Sequence, residues 1–435
     1  MKKLFLFAAL AAALTGCSSN DTDTNPEPGP GEIVVDMLPK TQAVELTGQQ
    51  RAFVNQNTDF AFNLFRAVSS LPEGRKSSLL SPISVTYVMG MLHDGAAGQT
   101  AKEIASVIGF GEGQPKAVNV FCRALIEGAP KTDPSVTLEI ANTAIANKVY
   151  SLNWELQYEQ DMADYYSADI SSLDFSQKAD AVSQVNGWCN EKTHGMIPEI
   201  LSERELSSNT LLLLMNAVYF KATWTEKFDP KDTSEQPFTT ASGQKRQLPM
   251  MHRKARALYG ENDVCSALTL PYGSGDKWAM KVLLPKEGKT VDDVIDGLNT
   301  ASWNTLNSYP NVWNPTVDIR IPRFTTAFET DLIKPLSALG APTMFTPKEA
   351  EFPNIFTNYK KDLYVGLMKQ KAAIEVSEEG TKAAAVTVAA MEYADAGPDR
   401  EHPMSVDFHC DRPFVYVIQE YSSGAIFFIG TYRGE

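Results

Sequence analysis

The chain has 435 residues, 43% of them hydrophobic, with 53 acidic against 39 basic side chains and a formal charge of −14. A protein that neutralises many phosphates needs clustered Lys and Arg, so this balance argues against a nucleic-acid partner; part of the charge serves solubility. The length allows two domains, yet beyond residue 43 no further Pro/Gly/Ser-rich linker and no fixed-period repeat divides it.

The N-terminus reads as an export address. Lys2 and Lys3 precede an apolar run from Leu4 to Leu14, then Leu14-Thr15-Gly16-Cys17. At about 1.5 Å per residue that run is too short for about 30 Å of hydrocarbon, so residues 1–16 are expected to be a cleaved signal peptide. Cys17 is placed as in the lipobox of bacterial lipoproteins. That resemblance implies a lipid anchor on the bacterial envelope, in the outer membrane, facing either periplasm or exterior. The alternative is an ordinary secretory peptide with a chance cysteine. Residues 17–43 are poor in apolar side chains, above all from Asp21 to Gly31, and read as a flexible tether to one domain spanning 44–435.

Phe60, Phe62, Leu64 and Phe65 form an apolar stripe that predicts a helix. Ser81-Pro82 then opens a second, apolar helix through Leu92, with Pro82 in its first turn and Ser81 or a nearby hydroxyl as cap. Thr100, with Glu103 three residues on, has capping-box spacing for a helix from Ala101. Strands are predicted at Thr137–Asn142 and Leu211–Phe220, the second continuously apolar as a strand covered on both faces would be. Ala267–Leu270, Ala279–Leu284 and Val317–Ile321 add strands closed by Pro271, Pro285 and Pro322, and the chain ends in a hairpin turned at Ser422-Ser423-Gly424. Together these predict a mixed α+β domain with large sheets.

Residues 378–391 pull two ways, since Ala favours helix while Val and Thr favour strands. Read as a strand, one face carries Thr381, Ala383, Ala385, Thr387, Ala389, Met391 and Tyr393 with no charge, and the other carries both Lys382 and Glu392. A one-residue slip would bury both charges, at about several kcal/mol each if unpaired. The segment suits a strand that it need not yet be; the competing reading is an ordinary amphipathic strand or surface helix.

Glu378-Glu379-Gly380-Thr381 followed by Ala383-Ala384-Ala385 resembles the reactive-loop hinge of serpins. Ser81-Pro82-Ile83-Ser84, Asn186-Gly187-Trp188 with Thr193 to Ile197, Asn216 to Trp224, Leu270-Pro271-Tyr272, Ile321-Pro322-Arg323-Phe324 and Asp411-Arg412-Pro413-Phe414 resemble further serpin signatures in the same order. The resemblance implies the serpin fold, helices plus three β-sheets with an exposed reactive loop at about 378–403. It also implies a suicide substrate: a protease cuts the loop, and the loop inserts into sheet A, dragging the acylated protease about 50 Å for about fifteen residues at ~3.3 Å each. Glu379, Gly380, Thr381 and Ala383 to Ala385 would be the hinge. Ser81, Ser84 and Asn216 would form a polar shutter under the sheet, and Trp224 would lie over the first insertion site. Gln370 stands where the family often has His, which removes a titration near neutral pH.

Counting forward from Gly380 places the cut at Ala394, before Asp395, with Tyr393 as neighbour; counting back from Pro413 gives a bond near Arg400 or His402. The forward count is preferred, because insertion needs a fixed strand length. Ala394 implies an elastase-like target, Tyr393 a chymotrypsin-like or papain-like one, Arg400 a trypsin-like one.

No Gly-x-Ser-x-Gly, His-Glu-x-x-His, CxxC, Rossmann or P-loop pattern occurs, so no enzyme activity, cofactor or metal is expected. His93, His194, His252, His402 and His409 show no metal-ligand spacing in sequence, and free buried thiols are expected for the cysteines beyond Cys17. The second functional reading is a serpin-fold binding or chaperone-like module that inhibits nothing.

Overall fold

The computed structural model describes residues 40–111, 115–207, 209–308, 311–359, 362–381 and 404–434. The predicted lipidation site Cys17, residues Ala383 to Ala385, and the candidate cut residues Tyr393, Ala394, Asp395 and Arg400 lie outside them.

Nine α-helices occur among the described residues: α1 (Gly48–Ser69), α2 (Pro82–Gly95), α3 (Gly98–Val107), α4 (Pro115–Gly128), α5 (Leu156–Tyr166), α6 (Lys178–Lys192), α7 (Val291–Gly297), α8 (Thr300–Thr305) and α9 (Ile333–Leu339). The strands, numbered in chain order, form three sheets. A seven-stranded sheet runs β1 (Ser78–Leu80), β17 (Ile426–Tyr432), β16 (Phe414–Glu420), β9 (Trp278–Pro285), β8 (Cys265–Tyr272), β7 (Tyr259–Glu261), β10 (Val312–Trp313). A four-stranded sheet runs β15 (Ser405–His409), β11 (Thr316–Pro322), β6 (Lys245–Arg256), β5 (Ser234–Thr239). A six-stranded sheet runs β12 (Phe324–Asp331), β13 (Lys369–Ser377), β14 (Gly380–Thr381), β4 (Leu212–Thr223), β2 (Val136–Asn147), β3 (Ala168–Leu173). This is the α+β, three-sheet plan expected.

Thr47 caps α1 with a full capping box, Thr47 Oγ1 accepting from Gln50 N–H, and its stripe of Phe60, Phe62, Leu64 and Phe65 is buried. Helix α2 is buried almost all round, wedged against β4 and β17. A smaller apolar cluster joins α6, through Val182 and Val185, to Ile145 and Leu213 of the six-stranded sheet. The C-terminal hairpin is β16 and β17, turned at Tyr421 to Ala425. Cys122, Cys189, Cys265 and Cys410 are free, buried thiols.

Three local expectations need correction. Thr100 does not cap a helix from Ala101: Gly98, at φ +54°, lets α3 begin two residues earlier than Thr100, whose hydroxyl accepts instead from Glu351 N–H. Glu103 turns away to accept from Thr343. Ser81 does hold the cap position of α2, yet its side chain caps nothing and accepts from Ser84 Oγ at 2.8 Å. Pro271 does not close its strand, because β8 runs on to Tyr272, past the end of its pairing with β7, where no N–H is demanded on that side.

Candidate functional site

The site is built where β13 returns as β14. Val376 pairs with Thr381 and Ser377 with Gly380, while on the other side Gly380 pairs with Thr223 and Thr381 with Ala222. Two residues thus hold β13 and β4 apart, and below them no ladder joins those two strands among the described residues. A cavity of about 320 Å³ occupies the gap. Leu213, Met215 and Ala217 line it from β4, and Lys371, Ala373 and Ile374 from β13. Helix α2 bounds it through Ser84 and Val85, and the end of α6 through Cys189.

The placement of the first two residues follows from their chemistry. Gly380 has φ +143°, and a Cβ there would lie 2.2 Å from Ala222 O, so only glycine brings the backbone into pairing distance. Thr381 is 2% exposed, and its hydroxyl lies 2.6 Å from Tyr272 Oη. Trp224 stacks on Tyr272 at 4.4 Å, and its indole N–H donates to Ser377 O at 2.9 Å. The backbone N–H groups of Trp224 and Phe228 donate to Glu379 O and Glu378 O. Trp224 therefore closes the top of the gap, as its sequence position implies.

Burial divides the two glutamates. Glu378, 5% exposed, takes a bidentate contact from Arg323 and a hydrogen bond from Thr233 Oγ1 at 2.7 Å. These partners hold its carboxyl below the usual range against the opposing effect of burial. Glu379 pairs with Lys227 at 2.6 Å near the surface. Glu378 and Glu379 thus form the tethered turn between β13 and β14, and Gly380 and Thr381 belong to the sheet, which corrects the expectation of an exposed loop from 378 onward.

Of the expected shutter, the structure brings Ser81 and Ser84 together, and joins Gln370 to them. Gln370 Oε1 accepts from Ser81 N–H at 2.9 Å and its Nε2 donates to Ser81 O at 2.8 Å, while Ser84 bonds Ser81. An amide at position 370 thus clips β13 to the start of α2 with both of its functions. Asn216 lines the same cavity but donates to Asn142 Oδ1 at 2.8 Å, and its own Oδ1 is buried without a hydrogen bond. Beside Gln370, at the end of β13 away from the hinge, Lys369 reaches Glu205 at 2.7 Å and Glu329 at 3.0 Å.

Sequence reading missed Tyr272, Thr233 and Arg323 as parts of this site, although Tyr272 and Arg323 fall inside stretches that carried the resemblance. The signal was there; the partners were not, because they come from positions 55 to 145 residues away from Glu378 and Thr381.

The three-sheet fold with a paired two-residue hinge above an open gap defines a class, and the comparisons agree with it. The sequence profile of Serpin (serine protease inhibitor) matches residues 55–433. Glia-derived nexin of Rattus norvegicus is 32% identical over 361 residues, 81% of this chain and 86% of that protein. Leukocyte elastase inhibitor of Homo sapiens is 30% identical over 387 residues, 86% of this chain and 97% of that protein. The native-state structure of the thermophilic serpin tengpin superposes with a TM-score of 0.76 at 25% identity, covering 92% of this chain and 97% of that one. The chain belongs to the serpin family of protease inhibitors.

Proposed function

We propose that the protein inhibits a serine endopeptidase, or a papain-like cysteine endopeptidase, as a single-use covalent trap. The protease cuts within residues 382–403, and the part after Thr381 enters the gap between β13 and β4. The observation that carries this reading is the two-residue β14 seated at the top of an otherwise open gap. Each rung added on insertion contributes about 0.5–1.5 kcal/mol net, and the apolar lining is covered as well. The protease, still acylated, is pulled with the strand, and about an angstrom of distortion suffices to slow deacylation about 100-fold.

The preferred cut follows Ala394, with Tyr393 as the neighbouring choice and Arg400 the later one, so an elastase-like or chymotrypsin-like target is favoured. The resemblance of one relative, a leukocyte elastase inhibitor by name, supports the same class. Lipidation at Cys17 would tether the inhibitor to the bacterial outer membrane by residues 17–43, guarding envelope proteins against foreign proteases. The competing reading, a binding module, has no observation in its favour at the hinge: Thr381 is small, uncharged and already paired.

Mixing with elastase and running a denaturing gel decides between them. A covalent band heavier than either partner is expected, and mass spectrometry of the released fragment locates the bond. Complete cleavage with no such band, across serine and cysteine proteases, would defeat the proposal.

A further inference from the structure

The four-stranded sheet carries a polar row that the inhibitory reading does not use. In β11, Asp318 and Arg320 lie on one face; Asp407 and His409 of β15 are their direct neighbours on one side, and Lys254 and His252 of β6 on the other. One oxygen of Asp318, one of Asp407 and one ring nitrogen of His409 all lie within 4.8 Å of one another. His252 Nε2 is 3.0 Å from Asp318 Oδ1, and His409 Nε2 is 3.4 Å from the same oxygen. The His409 Nε2 atom is shielded from solvent and has no hydrogen bond beyond that long approach.

We propose that Asp318, Asp407 and His409 bind a divalent transition-metal ion of the zinc class, with His252 orienting the Asp318 carboxylate. Two carboxylates and one imidazole are a zinc-type donor set that leaves a fourth position for water. An ion at the centre of a triangle of that side lies about 2.8 Å from each corner, so a shift of under about 1 Å per donor reaches the ~2.0–2.2 Å bonding distance. Arg320, whose Nε is 3.6 Å from Asp318 Oδ1, opposes a cation, as does Lys254 in the same row. Two carboxylates outweigh the nearer of them, and the Arg320 guanidinium also donates to Gln236 at 3.4 Å, on the side of β5. A hydrogen-bonded carboxylate backed by a second imidazole is the outer arrangement that metal ligands commonly have.

The position gives the ion a task. Strand β15 is the sheet edge and follows directly on residues 382–403, so a metal bridging Asp318 to Asp407 and His409 staples the C-terminal root of the loop to β11. Sequence spacing gave no hint of it, since His252, Asp318 and His409 are far apart in the chain.

Zinc titration of the chelator-treated full chain by calorimetry tests the site. One ion per chain is expected, at about micromolar affinity or tighter, with slower amide exchange in Ser405–His409 when zinc is present. His409→Ala and Asp407→Asn should each weaken binding at least about tenfold and abolish the exchange effect, while His252→Ala weakens it about 10-fold or more by loss of orientation. His194→Ala, far from the row, should change nothing. Asp407 is exposed, so Asp407→Asn keeps the test decisive should another variant fail to fold. Absence of binding below about 100 µM zinc, or binding that survives both His409→Ala and Asp407→Asn, would overturn the proposal.

Discussion

At residue 381 a single hydroxyl couples the reactive segment to the body of the protein. Thr381 Oγ1 meets Tyr272 Oη at 2.6 Å in a position 2% exposed, under the stacked pair of Tyr272 and Trp224. A guanidinium placed there would lose its water with no carboxylate among its described hydrogen-bond neighbours, at a cost of several kcal/mol. Thr381→Arg should therefore expel β14 from the sheet and stop insertion at its first step. The expected outcome is a loop cut as fast as before, with covalent-complex yield down at least ~10-fold on a denaturing gel. Unchanged yield would show that insertion does not begin at Thr381. Gly380 complements this, since a side chain there meets Ala222 O at 2.2 Å.

Helix α2 carries two titratable groups of opposite effect in its last turn. Burial lowers His93 to about 4, and its Nδ1 has no hydrogen-bond partner. Burial raises Asp94 to about 6, with the hydrogen bond from Asn119 opposing the rise and Asp161 adding to it. Below pH ~6.5 the unfolded chain protonates His93 while the folded one refuses until about 4, so that group makes stability fall with acid. Asp94 works the other way. The folded chain takes its proton from about pH 6 and the unfolded chain only near 3.8, so its cost above pH 6 is relieved on acidification. Thermal melts at pH 7.5 and 4.5 separate the two. His93→Gln should lose less melting temperature between them than the parent. Asp94→Asn should lose more, and should gain up to about 1–3 kcal/mol at pH 7.5. The reverse pattern would mean that these groups are hydrated in the folded state.

Across the whole molecule, the six-stranded sheet is held open at one place and closed everywhere else. Its gap of about 320 Å³ is bridged above by β14 and Trp224, and flanked below by the Gln370–Ser81 clip and the Lys369 ion pairs. A strand entering that gap would convert open edges of β4 and β13 into ladders, and the sheet would become continuous. Cleavage within residues 382–403 is therefore expected to raise the melting temperature by at least about 10 °C, since each added kcal/mol is worth about 2–4 °C in a domain of moderate size. A cut chain that melts where the intact one does would hold no stored energy, and trapping would have no driving force.

Much of this was legible in residue order. The apolar stripe of α1, the continuously apolar β4, the terminal hairpin and the sharp return at Gly380-Thr381 all announce themselves through periodicity or through a short pattern. Caps and ends were less legible. Thr100 has the right spacing for a cap and is used differently, because Gly98 can turn two residues sooner and Glu351 claims the hydroxyl. Asn216 was grouped with Ser81 and Ser84 by resemblance, but its amide belongs to the ladder partner Asn142.

The order of residues by itself determined that the chain can bend sharply at Gly380 and go on with the small, uncharged Thr381, because a glycine without Cβ permits that backbone locally. Tertiary structure alone decided what they meet. Tyr272 arrives from the end of β8, Arg323 from the link between β11 and β12, and Thr233 from the residue before β5, and Asp318, Asp407 and His409 form a row only because β11 and β15 lie side by side. Backbone conformation depends on near neighbours and can be read along the chain, whereas side-chain partners depend on which strands the sheets set next to one another.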